Sequence, residues 1–141
     1  MSVKAWSISH EDRTKLIQGA FEAKKGSYSP YSKFPVGAAL LATDGTLIKG
    51  ANIENASYGA RSANSSNVPS ALSPCGLCRQ VIREFCSLNM PVLLVPADYP
   101  QVLKEGEEQK PGFGEGGVRE TTLGELLPDS FGPEHLELPR Q

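Results

Sequence analysis

Two cysteines at a short spacing are the residues of this chain best suited to chemistry. Cys75 and Cys78 lie three positions apart, and Ser73 and Pro74 before them are typical of a helix N-cap and first helical position. Both sulfurs then face the same side of the first turn, where free backbone N–H groups favour the thiolate form. The pair could share one metal ion, above all zinc, form a reversible disulfide, or stay buried and inert.

A catalytic zinc site needs further protein ligands, and the other candidates are poorly placed. Cys86 lies eight positions past Cys78, about 12 Å farther along the same helix, so it cannot bind the same ion. His10 and His135 lie near the two chain ends without ligand spacing, and each is more simply a solvated residue. No Cys, His, Asp or Glu occurs between positions 55 and 74.

Alternating helices and strands surround the cysteine pair and must position it. Ser9 as N-cap, with acidic residues behind it, predicts a first helix that ends near Lys25. Asp44-Gly45 between two apolar runs is a two-residue turn signal and predicts a hairpin. The predicted elements after the first helix are the hairpin strands at 36–42 and 47–53, the cysteine helix at 73–87, a buried strand at 91–95, an edge strand at 118–121 and a capping-box helix at 122–127.

Apolar patterning predicts which faces of these elements are covered. The first hairpin strand is apolar on both faces, so we expect other elements to cover both. In the cysteine helix, Val81, Ile82 and Phe85 recur at helical spacing and are expected to be buried. The pattern therefore predicts further strands or helices around the first hairpin strand.

Composition excludes several classes of function. The 141 residues suit one domain over 1–141, and a net charge of −2 offers no broad basic surface, so we expect no nucleic-acid partner. No apolar run approaches the ~18 residues of a membrane span, and we expect no membrane partner. Three cysteines are too few for a secreted disulfide framework, so the sequence indicates a cytoplasmic protein.

Four segments resemble the zinc-dependent cytidine deaminases. Pro-Cys-Gly-Leu-Cys-Arg-Gln-Val-Ile-Arg-Glu-Phe at 74–85 is similar to half of that family's zinc signature. Tyr-Ser-Lys-Phe-Pro-Val-Gly-Ala-Ala-Leu at 31–40, Gly-Ala-Asn-Ile-Glu-Asn-Ala-Ser-Tyr at 50–58 and Glu-Leu-Leu-Pro-Asp-Ser-Phe-Gly-Pro at 125–133 follow the family in order. The resemblance implies an α/β/α sandwich with a mixed sheet, zinc as cofactor, and hydrolysis of cytidine or deoxycytidine to the uridine product and ammonia in pyrimidine salvage.

The resemblance also implies roles for single residues. Cys75 and Cys78 match two zinc ligands, while Asn52 and Glu54 match the positions that hydrogen-bond the ribose of a pyrimidine nucleoside. By residue type alone, Asn52 could equally be a turn cap and Glu54 a surface acid. Phe34 matches a position near the pyrimidine, although by itself it suits a core. Two further implications concern subunits: Phe131 matches an aromatic that stacks on the base in a neighbouring subunit's site, and the assembly is a homotetramer.

One part of the family pattern is missing. The family's third zinc ligand, a His or Cys, and its proton-transferring glutamate should lie between 55 and 74, where this sequence has neither. The truncated segment at about 59–72 is also too short for the family's crossover helix and central strand, so we expect an incomplete sheet, marginal stability, aggregation or dependence on a partner. The break has the form of an internal deletion from splicing or gene modelling.

Three functions fit these observations. The first is a cytidine deaminase family chain with an incomplete zinc site and impaired turnover, for which no catalytic residue can be assigned. The second is a non-catalytic protein of the same origin that binds nucleosides or joins other subunits. The third is an unrelated redox or structural zinc module built on Cys75 and Cys78.

Overall fold

Helices and strands alternate along the part of the chain that the structure, a computed structural model, describes: residues 7–54, 69–103 and 108–136. The elements are α1 (His10–Lys24), β1 (Gly37–Leu41), β2 (Leu47–Ala51), α2 (Gly76–Phe85), β3 (Pro91–Leu94), β4 (Arg119–Thr122) and α3 (Leu123–Leu126), with 3-10 turns at Glu115–Gly117 and Pro133–Leu136. Every helix and strand predicted from the sequence is present, with bounds shifted by no more than three residues.

The first half of the fold is a helix packed on a hairpin. Ser9 caps α1 by accepting a 3.0 Å hydrogen bond from the backbone N–H of Asp12, as its type predicts. Strands β1 and β2 are antiparallel, with Gly37 opposite Ala51. Gly37 is needed for the contact with α1, because a Cβ there would lie 2.1 Å from the carbonyl oxygen of Ala20.

The hairpin turn is longer by one residue than the sequence indicates. The N–H of Ala42 donates to the carbonyl of Thr46, which closes a loop of three residues, Thr43 to Gly45. Gly45 takes a φ of +85°, and the Asp44 carboxylate accepts from the N–H of Thr46. This is the three-residue hairpin with a left-handed glycine at its last position, not a two-residue turn.

The second half of the fold pairs β3 with β4. The strands are antiparallel, with Pro91 opposite Thr122 and Leu94 opposite Arg119. Val118 and Leu123, which flank β4, are fully buried, so part of the core lies beside this sheet. An ion pair of 2.6 Å between Arg13 of α1 and Glu120 of β4, both mostly buried, ties the two halves together.

A large apolar cleft separates the two halves. It has a volume of about 940 Å³ and lies between α1, β1, β2, α2 and β3. Within the described residues, β1 pairs only with β2, and β3 only with β4. The two sheets are therefore separate antiparallel pairs, and the described residues do not form the mixed sheet that the resemblance implies.

Two predictions about covered faces are wrong, and the cleft explains both. Ala38 and Leu40 of β1 are exposed, so only the α1 side of that strand is covered. Val81 and Phe85 of α2 are 61% and 69% exposed rather than buried, and Ile82 is half-buried. All five side chains line the cleft, because the described residues place no further layer against them.

The α/β fold class predicted from the sequence is confirmed. The prediction that a crossover helix and a central strand are absent concerns 59–72, of which 59–68 lie outside the described residues; 69–72 form neither a helix nor a strand. That 1–141 is a single domain stays a prediction. Among the described residues, no helix is long and apolar enough to cross a membrane.

The capping box of α3 stabilises the fold at neutral pH and loses this effect at acid pH. Thr122 accepts from the N–H of Glu125, while the Glu125 carboxylate accepts from the Thr121 hydroxyl at 2.7 Å and the Thr122 N–H at 3.0 Å. The hydrogen bonds to the Glu125 carboxylate hold its pKa below the ordinary value of 4.5, and the bond from the Thr121 hydroxyl contributes most.

We expect Glu125→Gln to lower the urea midpoint at pH 7 and to have less effect as the pH falls. A lowered pKa in the folded state stabilises the fold above the unfolded value of 4.5, and this stabilisation is lost as the pH falls through the folded pKa. Urea titrations of both proteins between pH 7 and pH 3 measure it. A difference in midpoint that stays constant over this range would contradict the prediction.

Candidate functional site

The cysteine pair lies at the N-terminus of α2. Cys75, not Ser73, is the N-cap, with an extended backbone, because α2 begins two residues later than the serine and proline indicate. Cys78 follows in the first turn, and the two sulfurs are 3.5 Å apart. Cys75 is exposed and Cys78 half-buried. The prediction that both sulfurs face the same side is therefore confirmed.

The surroundings of Cys75 favour its thiolate. The backbone N–H of Cys78 contributes most, followed by the Cys78 side chain, the N–H of Leu77 and the charge of Arg79, and together they lower the pKa of Cys75 below its ordinary value of 9.0. Arg79 is held in place because its guanidinium donates to the carbonyl oxygens of Pro74 and Leu126. The arginine thus fixes the entry to α2 and contributes positive charge beside the pair.

The pair fits zinc as two ligands. Tetrahedral zinc with Zn–S bonds of ~2.3 Å holds two sulfurs about 3.8 Å apart, close to the 3.5 Å seen here. In 7–54, 69–103 and 108–136, however, no three His, Cys, Asp or Glu side chains cluster as a metal site would require. Positions 55–74 contain none of these residue types either.

Asn52 holds the loop that leads into β1. Its side chain is 9% exposed, and its Oδ1 accepts from the backbone N–H of Val36 at 2.8 Å and from the Ser27 hydroxyl. Its Nδ2 donates to the carbonyl of Phe34 at 3.0 Å. The residue expected at the ribose is thus a clamp on residues 27–36, and Phe34, half-buried, belongs to the clamped loop.

Glu54 holds the same loop from its other end. Its Oε2 accepts from the backbone N–H groups of Tyr31 at 3.2 Å and Ser32 at 3.0 Å, and its Oε1 accepts from the Ser32 hydroxyl. The structure therefore brings Phe34, Asn52 and Glu54 together around one loop. Ser27 and Ser32 complete this cluster and were not predicted, although serines in a proline-containing loop are typical of such hydrogen bonds.

Phe131 lies near the cysteine helix. Its ring is 57% exposed and stacks on His135 with a centroid distance of 5.1 Å. Its carbonyl accepts a 2.9 Å hydrogen bond from Gln80 of α2. Phe131 is therefore presented outward from the surface, on a segment attached to the helix that carries Cys75 and Cys78.

Arg83 anchors that segment and was missed by the sequence reasoning. It is 1% exposed, pairs with Glu134 through Nη2, and donates from Nε to the Ser130 hydroxyl at 3.1 Å. Its Nη1 has no hydrogen-bond partner among the described residues. The signal was the spacing of Arg79 and Arg83, four residues apart on the helix face opposite Val81 and Phe85.

Known proteins match this chain in sequence and in structure. The family model for the cytidine and deoxycytidylate deaminase zinc-binding region matches residues 2–77. A cytidine deaminase of Sporosarcina psychrophila is 39% identical over 146 residues, which cover 89% of this chain and 95% of that protein. This chain belongs to the cytidine deaminase family.

Solved structures of the cytidine deaminase family agree with the fold described above. The enzyme of Burkholderia pseudomallei aligns with a TM-score of 0.68 and 31% identity, over 88% of this chain and all of that chain. The enzyme of Mycobacterium tuberculosis aligns with a TM-score of 0.61 and 31% identity, over 86% of this chain and 98% of that chain. Most of the cytidine deaminase fold is therefore present.

Alignment lengths indicate by how many positions this chain is shorter than a relative. The alignment with the Sporosarcina protein has 146 positions, yet 89% of a 141-residue chain fills only about 125 of them. About 20 positions of that cytidine deaminase thus have no counterpart here. A total of this size agrees with the short interval between the hairpin and the cysteine pair.

Replacing Asn52 by alanine tests its role as a clamp. We expect Asn52→Ala to lower the free energy of unfolding by about 1–3 kcal/mol, because it leaves the buried N–H of Val36 without an acceptor. Urea denaturation followed by circular dichroism measures the loss. As a matched control, Asn89→Ala changes an exposed asparagine and should leave the midpoint nearly unchanged. Equal midpoints for the two variants would contradict the clamp.

Proposed function

We propose that this chain derives from an enzyme that hydrolysed cytidine or deoxycytidine to the uridine product and ammonia, and that its own turnover is low or absent. The observation that supports the proposal is that positions 55–74 contain no His, Cys, Asp or Glu, while no three such side chains cluster within the described residues. In deaminases of this type zinc supplies an activated water, and a glutamate transfers protons. The catalytic glutamate has no counterpart between 55 and 74.

The remaining residues of the site still suit a nucleoside. Cys75 and Cys78 would hold zinc through two thiolates, leaving its other positions to water or a foreign ligand. Asn52 and Glu54 would orient the ribose, and Phe34 and Phe131 would lie against the base. Glu54 already accepts from Tyr31 and Ser32, so a ribose hydroxyl would have to share or displace these hydrogen bonds.

Zinc content and turnover measured on the same purified protein test the proposal. We expect at most weak zinc binding, lost in Cys75→Ser and Cys78→Ser, and no ammonia release from cytidine or deoxycytidine above a no-protein blank. The Cys86→Ser variant is the matched control, because Cys86 lies outside the pair and should leave zinc content unchanged. Chelator-sensitive turnover by the unmodified chain would refute impaired catalysis.

A second candidate function is the joining of subunits, with or without nucleoside binding. It is favoured by the exposed apolar face of α2 and the cleft beside it, since an apolar surface of this extent is typical of an interface. If a second copy covers this face, Phe85→Glu should lower the oligomeric state in analytical ultracentrifugation. Val102→Glu is the control, because Val102 is 87% exposed and does not line the cleft.

Several properties of the family complete the proposal. A homotetramer would let Phe131, which is exposed here, reach a neighbouring site. The substrate class would be a pyrimidine nucleoside, the location cytoplasmic and the pathway pyrimidine salvage, with no nucleic-acid or membrane partner. Calorimetric titration with cytidine tests the nucleoside, and Phe131→Ala should weaken that binding if the ring stacks on the base.

A further inference from the structure

We propose that Cys75 and Cys78 form a redox-active dithiol that exchanges with small disulfides of the glutathione type. This goes beyond the proposed function, because neither hydrolysis nor nucleoside binding enters it. The observation is the geometry of the pair: two thiols 3.5 Å apart in the first turn of a ten-residue helix, with the first thiol open to solvent. Within the described residues, the pair belongs to no cluster of three or more metal-ligating side chains, and two thiols this close at a helix N-terminus are suited to thiol–disulfide exchange.

Distance and exposure assign a different role to each sulfur. Cys75 is exposed, so an external disulfide can reach its Sγ, whereas Cys78 is half-buried. A disulfide needs an S–S bond of ~2.05 Å, so the sulfurs must approach by about 1.5 Å, which rotation of the side chains can supply. Cys86 is at the C-cap of α2, at the other end of the helix, and is no partner for this pair.

The exchange proceeds in two balanced steps. The Cys75 sulfur, having given up its proton, attacks one sulfur of the oxidised glutathione, forms a mixed disulfide and releases the first glutathione thiolate. The Cys78 sulfur, likewise deprotonated, then attacks the Cys75 sulfur, forms the Cys75–Cys78 disulfide and releases the second thiolate. The protein dithiol loses two electrons and two protons, and one glutathione disulfide becomes two thiols.

Mass spectrometry of the full chain in a Cys86→Ser background tests the assignment. Metal is first removed with a chelator, and the protein is equilibrated with mixtures of reduced and oxidised glutathione. We expect both thiols to be lost and the mass of the protein to fall by that of two hydrogen atoms, and we expect dithiothreitol to reverse both changes. Adding Cys78→Ser should trap one glutathione on Cys75, whereas Cys75→Ser should react more slowly because Cys78 is less exposed.

The same equilibration in denaturing urea separates the folded geometry from the mere presence of two cysteines. The disulfide should form at a more reducing glutathione ratio in the folded chain than in urea, because the helix holds the sulfurs together. Equal ratios in the two states would overturn the proposal, as would preferential trapping on Cys78. Since zinc and nucleosides are absent from this experiment, its failure would leave the proposed function standing.

Discussion

Inserting the missing segment should convert this chain into a zinc-loaded enzyme. The insert is a segment of about 20 residues from the Sporosarcina relative, placed between Tyr58 and Val68. We expect it to raise cytidine turnover by at least about 10²-fold. General acid–base catalysis alone contributes ~10²–10⁴-fold, and a third ligand would let zinc activate its water. Ammonia release and zinc stoichiometry, measured before and after the insertion, check this expectation.

Two controls isolate the cause of any gain. The same insertion combined with Cys78→Ser restores the length of the chain without a full ligand set, so it should remain inactive. A scrambled insertion of the same composition should also remain inactive and should not fill the 940 Å³ cleft with a packed strand. An intact insertion that folds, binds zinc and yet releases no ammonia would show that the defect lies elsewhere in the chain.

The elements were predictable because their signals are local. Ser9 as N-cap, the Thr122 and Glu125 capping box and the glycine at 45 each determine a helix start or a turn through contacts within a few residues. The structure contains all three. Local chemistry did not specify the length of the hairpin loop, because loops of two and of three residues both accommodate a glycine in the left-handed conformation.

Burial was predicted less well, because it depends on what packs against a face and not on the face itself. Val81 and Phe85 have the spacing of a buried stripe, yet they line the cleft, since the described residues provide no layer to cover them. The buried side of α2 instead carries Arg83. A sequence pattern shows that a face is apolar, but it cannot show that its partner is present.

The candidate site shows the same division. The Cys75 and Cys78 spacing was sufficient to place two sulfurs at chelating distance, because both lie within one helical turn. The hydrogen bonds of Asn52 and Glu54 to residues 27–36 could not be predicted, since they join segments about 20 residues apart through a loop of irregular backbone. Their contacts explain the loop's shape, whereas their role toward a nucleoside stays a prediction.

Disrupting the ion pair between Arg83 and Glu134 should cause the largest loss of stability among the variants named. We expect Glu134→Gln to reduce the free energy of unfolding by about 3 kcal/mol, because it leaves a guanidinium that is 1% exposed without its counter-charge. Glu134 is half-exposed, so solvent limits the loss to the lower end of the usual range. Urea denaturation measures it, with Glu11→Gln, which removes an exposed ion pair to Lys15, as the matched control.

A double variant distinguishes the buried charge from the packing around it. Arg83→Met keeps an apolar stem of similar length and removes both the charge and the Nη1 group, which the described residues leave without a hydrogen-bond partner. Combined with Glu134→Gln it should recover most of the stability, because the buried charge rather than the missing carboxylate causes the loss. Equal losses in the single and double variants would show that Glu134 acts through other contacts. Arg83 also holds Ser130 to Gly132 against α2, so its loss should speed amide hydrogen–deuterium exchange in the segment that carries Phe131.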